Sequence, residues 1–249
     1  MSEKIIFNWS SGKDSAFCLY KLLQQPHNEI LCLLTSVNEQ YQRVSMHGVR
    51  VELLEQQAKS IGLPLVKLLM PEMPTMESYE NTMRAMLLNL KQQGATSSAF
   101  GDIFLDDLRA YREQKLSELD LKGLFPLWKI PTTELIKEFI DLGFKTIVTC
   151  VNEAYLDKSF VGRVIDQDFL KDLPKNVDPC GENGEFHTFV FDGPLFKEPI
   201  PFEIGEIVYR KYEKLKQIDS TTYDCESEDD SSKLFDTGFW YVDLLPLAK

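Results

Sequence analysis

Two rhythms of apolar residues alternate along the first half of the chain. The runs "KIIFNW" (4–9), "EILCLLTSV" (29–37), "LPLVKLLM" (63–70) and "ATSSAFGDI" (95–103) have few polar interruptions, the pattern of strands buried on both faces. Between them the apolar positions recur at helical spacing. Phe17, Leu19, Tyr20, Leu22 and Leu23 mark a first helix that Pro26 ends, and further helices are predicted over 48–61, 76–93 and 105–119. Short buried strands alternating with helices predict an α/β fold, a doubly wound parallel sheet covered on both faces.

The rhythm breaks in "GLFPLWKIP" (123–131), where one glycine and two prolines fall close together, so a domain boundary is expected there. It divides the chain into residues 1–122 and a smaller C-terminal α/β unit, 123–249. A helix over 132–142 and a strand over 145–151 open the second unit. "DPCGENGEFHTFVFDGPLF" (178–196) reads as a structured loop flanking a strand. Residues 202–212 and 237–245 read as an antiparallel pair joined by a mobile, solvated acidic excursion, "DSTTYDCESEDDSSK".

Composition narrows the classes. The 249 residues are 43% hydrophobic, enough for a substantial core, and the net charge of −12 opposes a broad nucleic-acid footprint. No apolar run reaches the roughly 20 residues of a membrane span, and the N-terminus lacks a signal-peptide pattern, so a cytoplasmic location is expected. Cys18, Cys32, Cys150, Cys180 and Cys225 are widely spaced without a C-x-x-C pair and are expected to be free thiols. His27, His47 and His187 are too scattered for a histidine metal site.

The candidate chemistry begins at Ser10-Ser11-Gly12-Lys13-Asp14-Ser15, between the first strand and the first helix. Unpaired amides and the positive helix end attract anions there. The serine hydroxyls add donors, Gly12 permits close approach, and Lys13 supplies a compact positive charge. Asp14 suits such a site if Mg²⁺ bridges it to a phosphate. The same hexad also fits a plain capped helix start. It lacks the spacing of a Walker P-loop.

"SSGKDS" resembles the S-G-G-x-D-S pyrophosphate loop of the N-type ATP pyrophosphatases, with Ser11 where the first glycine usually stands. If that position needs φ > 0, the serine costs on the order of 1 kcal/mol. "RVSMHGVR" (43–50), "FGDIFLDDLRAYRE" (100–113), "FPLW" (125–128), "FVGRVID" (160–166) and above all "CGENGEFHTFVFDGPLF" (180–196) resemble the diphthine–ammonia ligase family and its uncharacterised relatives. The resemblance spans about residues 4–200. It implies a Rossmann-like ATP-binding domain and a reaction in which a carboxylate is adenylated by ATP, releasing pyrophosphate, and ammonia then displaces AMP. In that family the acceptor is diphthine on elongation factor 2.

The implied roles follow. Ser10, Ser11, Gly12, Lys13, Asp14, Ser15, His47 and Gly101 would hold ATP, with Asp14 the candidate Mg²⁺ ligand. Lys13, Asp102 and Glu185 are the candidate catalytic residues, Asp102 by holding Mg²⁺ or orienting ammonia, Glu185 or Glu182 by taking a proton from the attacking ammonium. Arg163, Glu182, Asn183, Glu185, His187 and Thr188 would bind the acceptor. Asp102 reads equally as a helix cap, and the 182–188 cluster as a hydrogen-bonded turn. Phe125 and Trp128 would either pack between the domains or form a wall suited to a trimethylammonium group. Free ammonia or a separate partner would supply nitrogen, and a homo-oligomer is compatible with the sequence. The readings from other classes are a nucleotide-binding sensor without turnover and a tRNA-modifying relative.

Overall fold

The computed structural model describes residues 3–45, 47–71, 75–212 and 237–247. Met46, Cys225 and the acidic excursion lie outside the described residues.

The first sheet is centred on β1 (Glu3–Asn8), which pairs in parallel with β2 (Asn28–Asn38) on one side and with β5 (Ser97–Ala99) on the other. Outside these, β4 (Leu65–Met70) runs parallel to β2, and β6 (Lys122–Leu124) parallel to β5. The two-residue β3 (Arg43–Val44) pairs antiparallel with the end of β2. The parallel order is therefore β4-β2-β1-β5-β6, and the direction of winding reverses between β1 and β5. In open α/β sheets that reversal leaves a crevice outside the carboxyl ends of the two strands.

Both faces of this sheet are covered, as the uninterrupted apolar runs require. Ile5 and Phe7 of β1 pack in one cluster with Phe17 and Leu19 of α1 (Lys13–Leu23) and Leu53 and Leu54 of α2 (Val51–Ile61). Ile6 points to the opposite face, joining Leu87 and Leu90 of α3 (Met76–Gln92) and Leu116 of α4 (Asp106–Ser117). The alternation along three consecutive β1 residues thus assigns the two helical layers. β6 overlaps the start of the 123–131 segment, where the sequence rhythm breaks. The strand predicted over 95–103 shrinks to three residues because the chain turns away at Gly101, where a Cβ would sit 2.9 Å from the backbone of Asp14.

The second sheet is wholly antiparallel, in the order β8-β7-β10-β9, formed by β7 (Lys145–Asn152), β8 (Phe186–Asp192), β9 (Phe202–Tyr212) and β10 (Thr237–Pro246). Helices α5 (Thr132–Asp141) and α6 (Gln167–Asp172) accompany it. One hydrophobic cluster runs through both units. Phe139 and Phe144 stack with centroids 4.6 Å apart, and Phe17 of α1 meets both edge-on. Helix α1 is thereby held between the parallel sheet and the second unit, which brings β8 over the loop that precedes α1. No helix among the described residues is long and apolar enough to cross a membrane. Cys18, Cys32, Cys150 and Cys180 are buried free thiols.

Candidate active site

The carboxyl ends of β1 and β5 are tied by Asn8, whose Nδ2 donates to Ser98 Oγ (2.8 Å) and the Ala99 carbonyl (2.9 Å). Beyond Asn8 the chain reverses at Ser11, which has φ +71° and is fully buried. Its carbonyl accepts from Val190 N of β8 (3.0 Å) and from Gln57 Nε2 (3.1 Å), whereas its hydroxyl finds no hydrogen-bond partner among the described residues. Gly12 follows in extended conformation, and a Cβ there would meet His47 Cε1 at 2.8 Å and the Thr188 carbonyl at 3.2 Å. Glycine is therefore fixed at this position by the close approach of two other elements.

The first turn of α1 divides its amides. Lys13 N donates to Thr188 Oγ1 (3.0 Å) and Ala16 N to the Gly12 carbonyl (3.0 Å), while the amides of Asp14 and Ser15 take no partner among the described residues. Ser15 Oγ donates to the Gly12 carbonyl (2.9 Å) and accepts from Ser10 Oγ (3.1 Å). Two adjacent amides at a helix N-terminus, beside a buried hydroxyl without a partner, form a cradle for an anion.

Charge surrounds this cradle. Lys13 is 4% exposed, and its ammonium lies 2.8 and 2.7 Å from the two Asp14 oxygens. Burial alone would lower its pKa, but Asp14, Cys180 and Glu182 outweigh burial and hold it above the ordinary lysine value. Glu182 is pushed up to about 8, first by burial and then by the negative charge of Asp14, Asp178 and Asp102, against the opposing pull of Lys13. Asp102 is paired with Arg112, whose Nη1 lies 2.7 and 3.0 Å from its oxygens, yet burial and Asp14 keep its pKa raised. Thus Lys13, Asp14, Asp102 and Glu182, from β1–α1, the end of β5 and the 180–188 loop, share one basin at the sheet's switch point.

His47 and His187 close its other side, with ring centroids 4.8 Å apart. His47 Nδ1 lies 3.2 Å from the Thr188 carbonyl; since a carbonyl only accepts, Nδ1 carries the hydrogen. Burial lowers both histidine pKa values, that of His187 to about 3, so both rings are neutral at pH 7.

Other sequence-selected residues turn elsewhere. Glu185 is fully buried, accepting from Asp178 N (2.9 Å) and Asn183 Nδ2 (3.0 Å) on one oxygen and from Asn183 N (2.8 Å) on the other. Its carboxylate is committed to the shape of the 178–185 turn. Asn183 itself is solvent-exposed. Gly101 packs against the Asp14 backbone. Arg163 pairs with Asp172 (2.8 Å) and lies over Phe160 and Phe169; none of these contacts reaches the 10–15 loop.

Residues 3–123 match the sequence model of the diphthamide synthase N-terminal domain, and residues 131–223 match that of the diphthamide synthase C-terminal domain. The chain belongs to the diphthamide synthase family. It is 26% identical over 225 residues to the diphthine–ammonia ligase of Homo sapiens, covering 80% of this chain and 82% of that protein. The Bos taurus diphthine–ammonia ligase is 28% identical over 225 residues with the same coverage. The Schizosaccharomyces pombe one is 26% identical over 226 residues, covering 82% of this chain and 37% of that protein.

Within this member of the diphthamide synthase family, two groups that hold the site together escaped the sequence reading. Gln57 donates to the Val190 carbonyl (2.6 Å) as well as to Ser11, and accepts from Trp9 Nε1 (2.9 Å). A glutamine on the stripe formed by Leu53, Leu54 and Ala58 was its available signal, because a polar side chain on a buried helix face needs partners. Asp243 of β10 accepts a bidentate pair from Arg50 (3.0 and 2.7 Å) and a bond from Arg43 (2.9 Å). This clamp joins the 43–50 turn that carries His47 to the second sheet, and nothing local in "YVDLL" announces it.

Among the described residues no three His, Cys, Asp or Glu side chains converge to cage a metal. Mg²⁺ needs no such cage beside a polyphosphate, since one carboxylate and phosphate oxygens suffice. The half-buried Asp14 carboxylate, next to the open amides, fits that requirement.

Proposed function

We propose that the protein is an ATP-dependent amide-forming ligase whose acceptor is the carboxylate of diphthine on elongation factor 2. The observation that carries the proposal is the meeting of the 10–15 loop and the 180–188 turn in one basin, through the Lys13 N to Thr188 Oγ1 bond and the mutual fields of Lys13 and Glu182. An anion cradle alone describes any nucleotide binder. A carboxyl poised near neutral pH beside it provides for proton transfer as well.

In the reaction, an acceptor carboxylate oxygen attacks the α-phosphorus of ATP and pyrophosphate leaves. Ammonia then attacks the activated carbonyl carbon, and AMP leaves with the bonding electrons. The amides of Asp14 and Ser15, the Ser11 hydroxyl and Lys13 receive the charge that gathers on the departing pyrophosphate. Asp14 is the residue that would hold Mg²⁺, whose charge would offset part of the same build-up. His47 lies on Gly12 as a neutral ring and shapes the cradle's wall toward the nucleoside. Ionised Glu182 takes a proton from ammonium, freeing the nitrogen lone pair, and Asp102 orients the nitrogen. Glu185 positions this machinery by fixing the turn, and Thr188 locks the turn to the loop.

The test is nucleotide analysis with elongation factor 2 carrying diphthine, ammonium and ATP. AMP and pyrophosphate should appear only with acceptor present, and Lys13→Ala should reduce the rate at least about a hundredfold while the protein stays folded. Release of ADP and phosphate would reject the cleavage position. ATP binding without turnover would leave a nucleotide sensor.

A further inference from the structure

Arg109 of α4 holds its guanidinium 4.7 Å from the ring centroid of Phe125 and 4.6 Å from that of Trp128. The two rings stand at 64° with centroids 6.1 Å apart and form a corner that the Arg109 guanidinium fills, with Lys129 Nζ farther out, 5.8 Å from the Trp128 centroid alone. Gly123 leaves room for the corner, because a Cβ there would lie 2.9 Å from Phe125 Cε2. Glu113, one turn along α4, accepts from Arg109 Nε at 2.9 Å and gives the corner a negative neighbour.

This corner borders the basin. Phe125 stacks on Phe100 with centroids 5.5 Å apart, and Phe100 carries Arg112, the partner of Asp102, over its ring at 4.3 Å. Leu127, between the two corner residues in sequence, lines the same narrow crevice as Lys13 and Asp14.

We propose that the Phe125–Trp128 corner seats the quaternary ammonium of the acceptor, and that Arg109 occupies it as an internal stand-in until the acceptor arrives. The inference rests on the proposed diphthine acceptor, whose quaternary nitrogen stands beside the carboxylate to be activated. A quaternary nitrogen has no N–H to donate, so an aromatic face and a nearby carboxylate are the groups left to recognise it. A guanidinium satisfies the same field, which is why one fits here now. Arg109 is 31% exposed and keeps Glu113 on its own helix, so it leaves the corner with a partner and solvent at hand. Placing the nitrogen at the rim holds its neighbouring carboxylate at the basin.

The experiment compares acceptor carrying the quaternary nitrogen with the same acceptor demethylated to the primary amine, for wild type, Trp128→Leu, Trp128→Phe and Arg109→Met. Trp128→Leu should raise KM for the quaternary acceptor about tenfold, with kcat and the ATP KM little changed, and Trp128→Phe should recover most of the loss. Arg109→Met should lower that KM. Tetramethylammonium should compete with the quaternary acceptor in wild type and lose that effect in Trp128→Leu. Turnover with equal KM for both acceptors and for Trp128→Leu would overturn the seat while leaving the ligase reading intact. If no acceptor is turned over, tetramethylammonium titrated into Arg109→Met and followed by calorimetry still decides: binding that a further Trp128→Leu change abolishes supports the seat, and absence of binding overturns it.

Discussion

Replacing Ser11 by glycine should make the protein more stable and the nucleotide site weaker. Ser11 holds φ +71°, a left-handed conformation that costs a residue with a Cβ about 1–2 kcal/mol. Its buried hydroxyl, without a partner among the described residues, costs about 1–3 kcal/mol in lost hydration. Against these gains, glycine loses about 0.5–1 kcal/mol through greater freedom of the unfolded chain, and the lost side chain forfeits about 1 kcal/mol of burial. Ser11→Gly should therefore gain about 2 kcal/mol, the middle of a range from about 0 to 3.5, in denaturant unfolding without nucleotide. Ser11→Ala keeps the strained Cβ and should gain only what the hydroxyl cost. If that hydroxyl meets a phosphate oxygen, both variants lose a charge-assisted hydrogen bond of about 1.5–3 kcal/mol, a weakening of ATP binding by at least about tenfold in calorimetry. Lower stability in Ser11→Gly together with unchanged ATP affinity would refute this reasoning and make Ser11 an ordinary structural residue.

Glu182 gives a pH signature in two independent readouts. A carboxyl raised from the ordinary 4.5 to about 8 binds its proton more tightly in the folded protein, so its contribution to stability is full below 4.5 and is lost as pH rises through 8. Glu182→Gln should melt higher than wild type above pH 8 and lose that advantage toward pH 5 in calorimetric scans; a constant difference would mean that Glu182 does not titrate there. At fixed ammonium-ion concentration, wild-type amidation should rise with pH up to about 8 as Glu182 ionises, and the variant should lose that limb along with most of its rate. Asp243 behaves in the opposite sense. Burial would raise its pKa, but Arg50 and Arg43 together hold it down at about 2, so its stabilisation is present above 3.8 and disappears as pH falls toward 2. Asp243→Asn should cost about 1–2 kcal/mol at pH 7 in urea unfolding and almost nothing near pH 2; an equal cost at both would show that the clamp's charge is immaterial.

The elements legible in the sequence are those whose burial is repeated along the chain. The predicted helix over 76–93 is observed as Met76–Gln92 and that over 132–142 as Thr132–Asp141, because each presents a regular apolar stripe. The strand–loop–helix setting of residues 10–15 was legible for the same reason, as was the strain at Ser11, which follows from a pattern that ordinarily places glycine there. The three residues of β6 were not legible, since Lys122-Gly123-Leu124 has too little length for a period. Side-chain direction in the 182–188 cluster was also hidden. Glu182 and Glu185 are equivalent as letters; only the fold of the turn gives Glu185 three donors and leaves Glu182 among carboxylates. The Asp243 clamp depends on a register between β10 and the 43–50 turn, separated by most of the chain.

The two ions this chemistry requires make opposite electrostatic demands, and the arrangement of the loop accommodates both. A polyphosphate needs donors, whereas ammonium needs acceptors. β8 takes the Ser11 carbonyl and the Lys13 amide for its own hydrogen bonds, so the amides still open, at Asp14 and Ser15, mark the approach to the cradle. Lys13 lies beside that approach, and Asp14, Asp102 and Glu182 lie around it, too many negative charges for an anion unless some are neutralised. Lys13 neutralises Asp14, Arg112 neutralises Asp102, and burial leaves Glu182 protonated below pH 8. Two of these would be reversible within the proposed reaction: Lys13 can turn toward a phosphate, and Glu182 can ionise when a cation is near. In the proposed reaction the field of the basin would be set by the order of arrival, polyphosphate first drawing Lys13 away from Asp14, and the exposed carboxylates then attracting ammonium. Removing Lys13 should accordingly weaken the hold on polyphosphate and strengthen the pull on ammonium, because Asp14 then lacks its counter-ion before any nucleotide arrives.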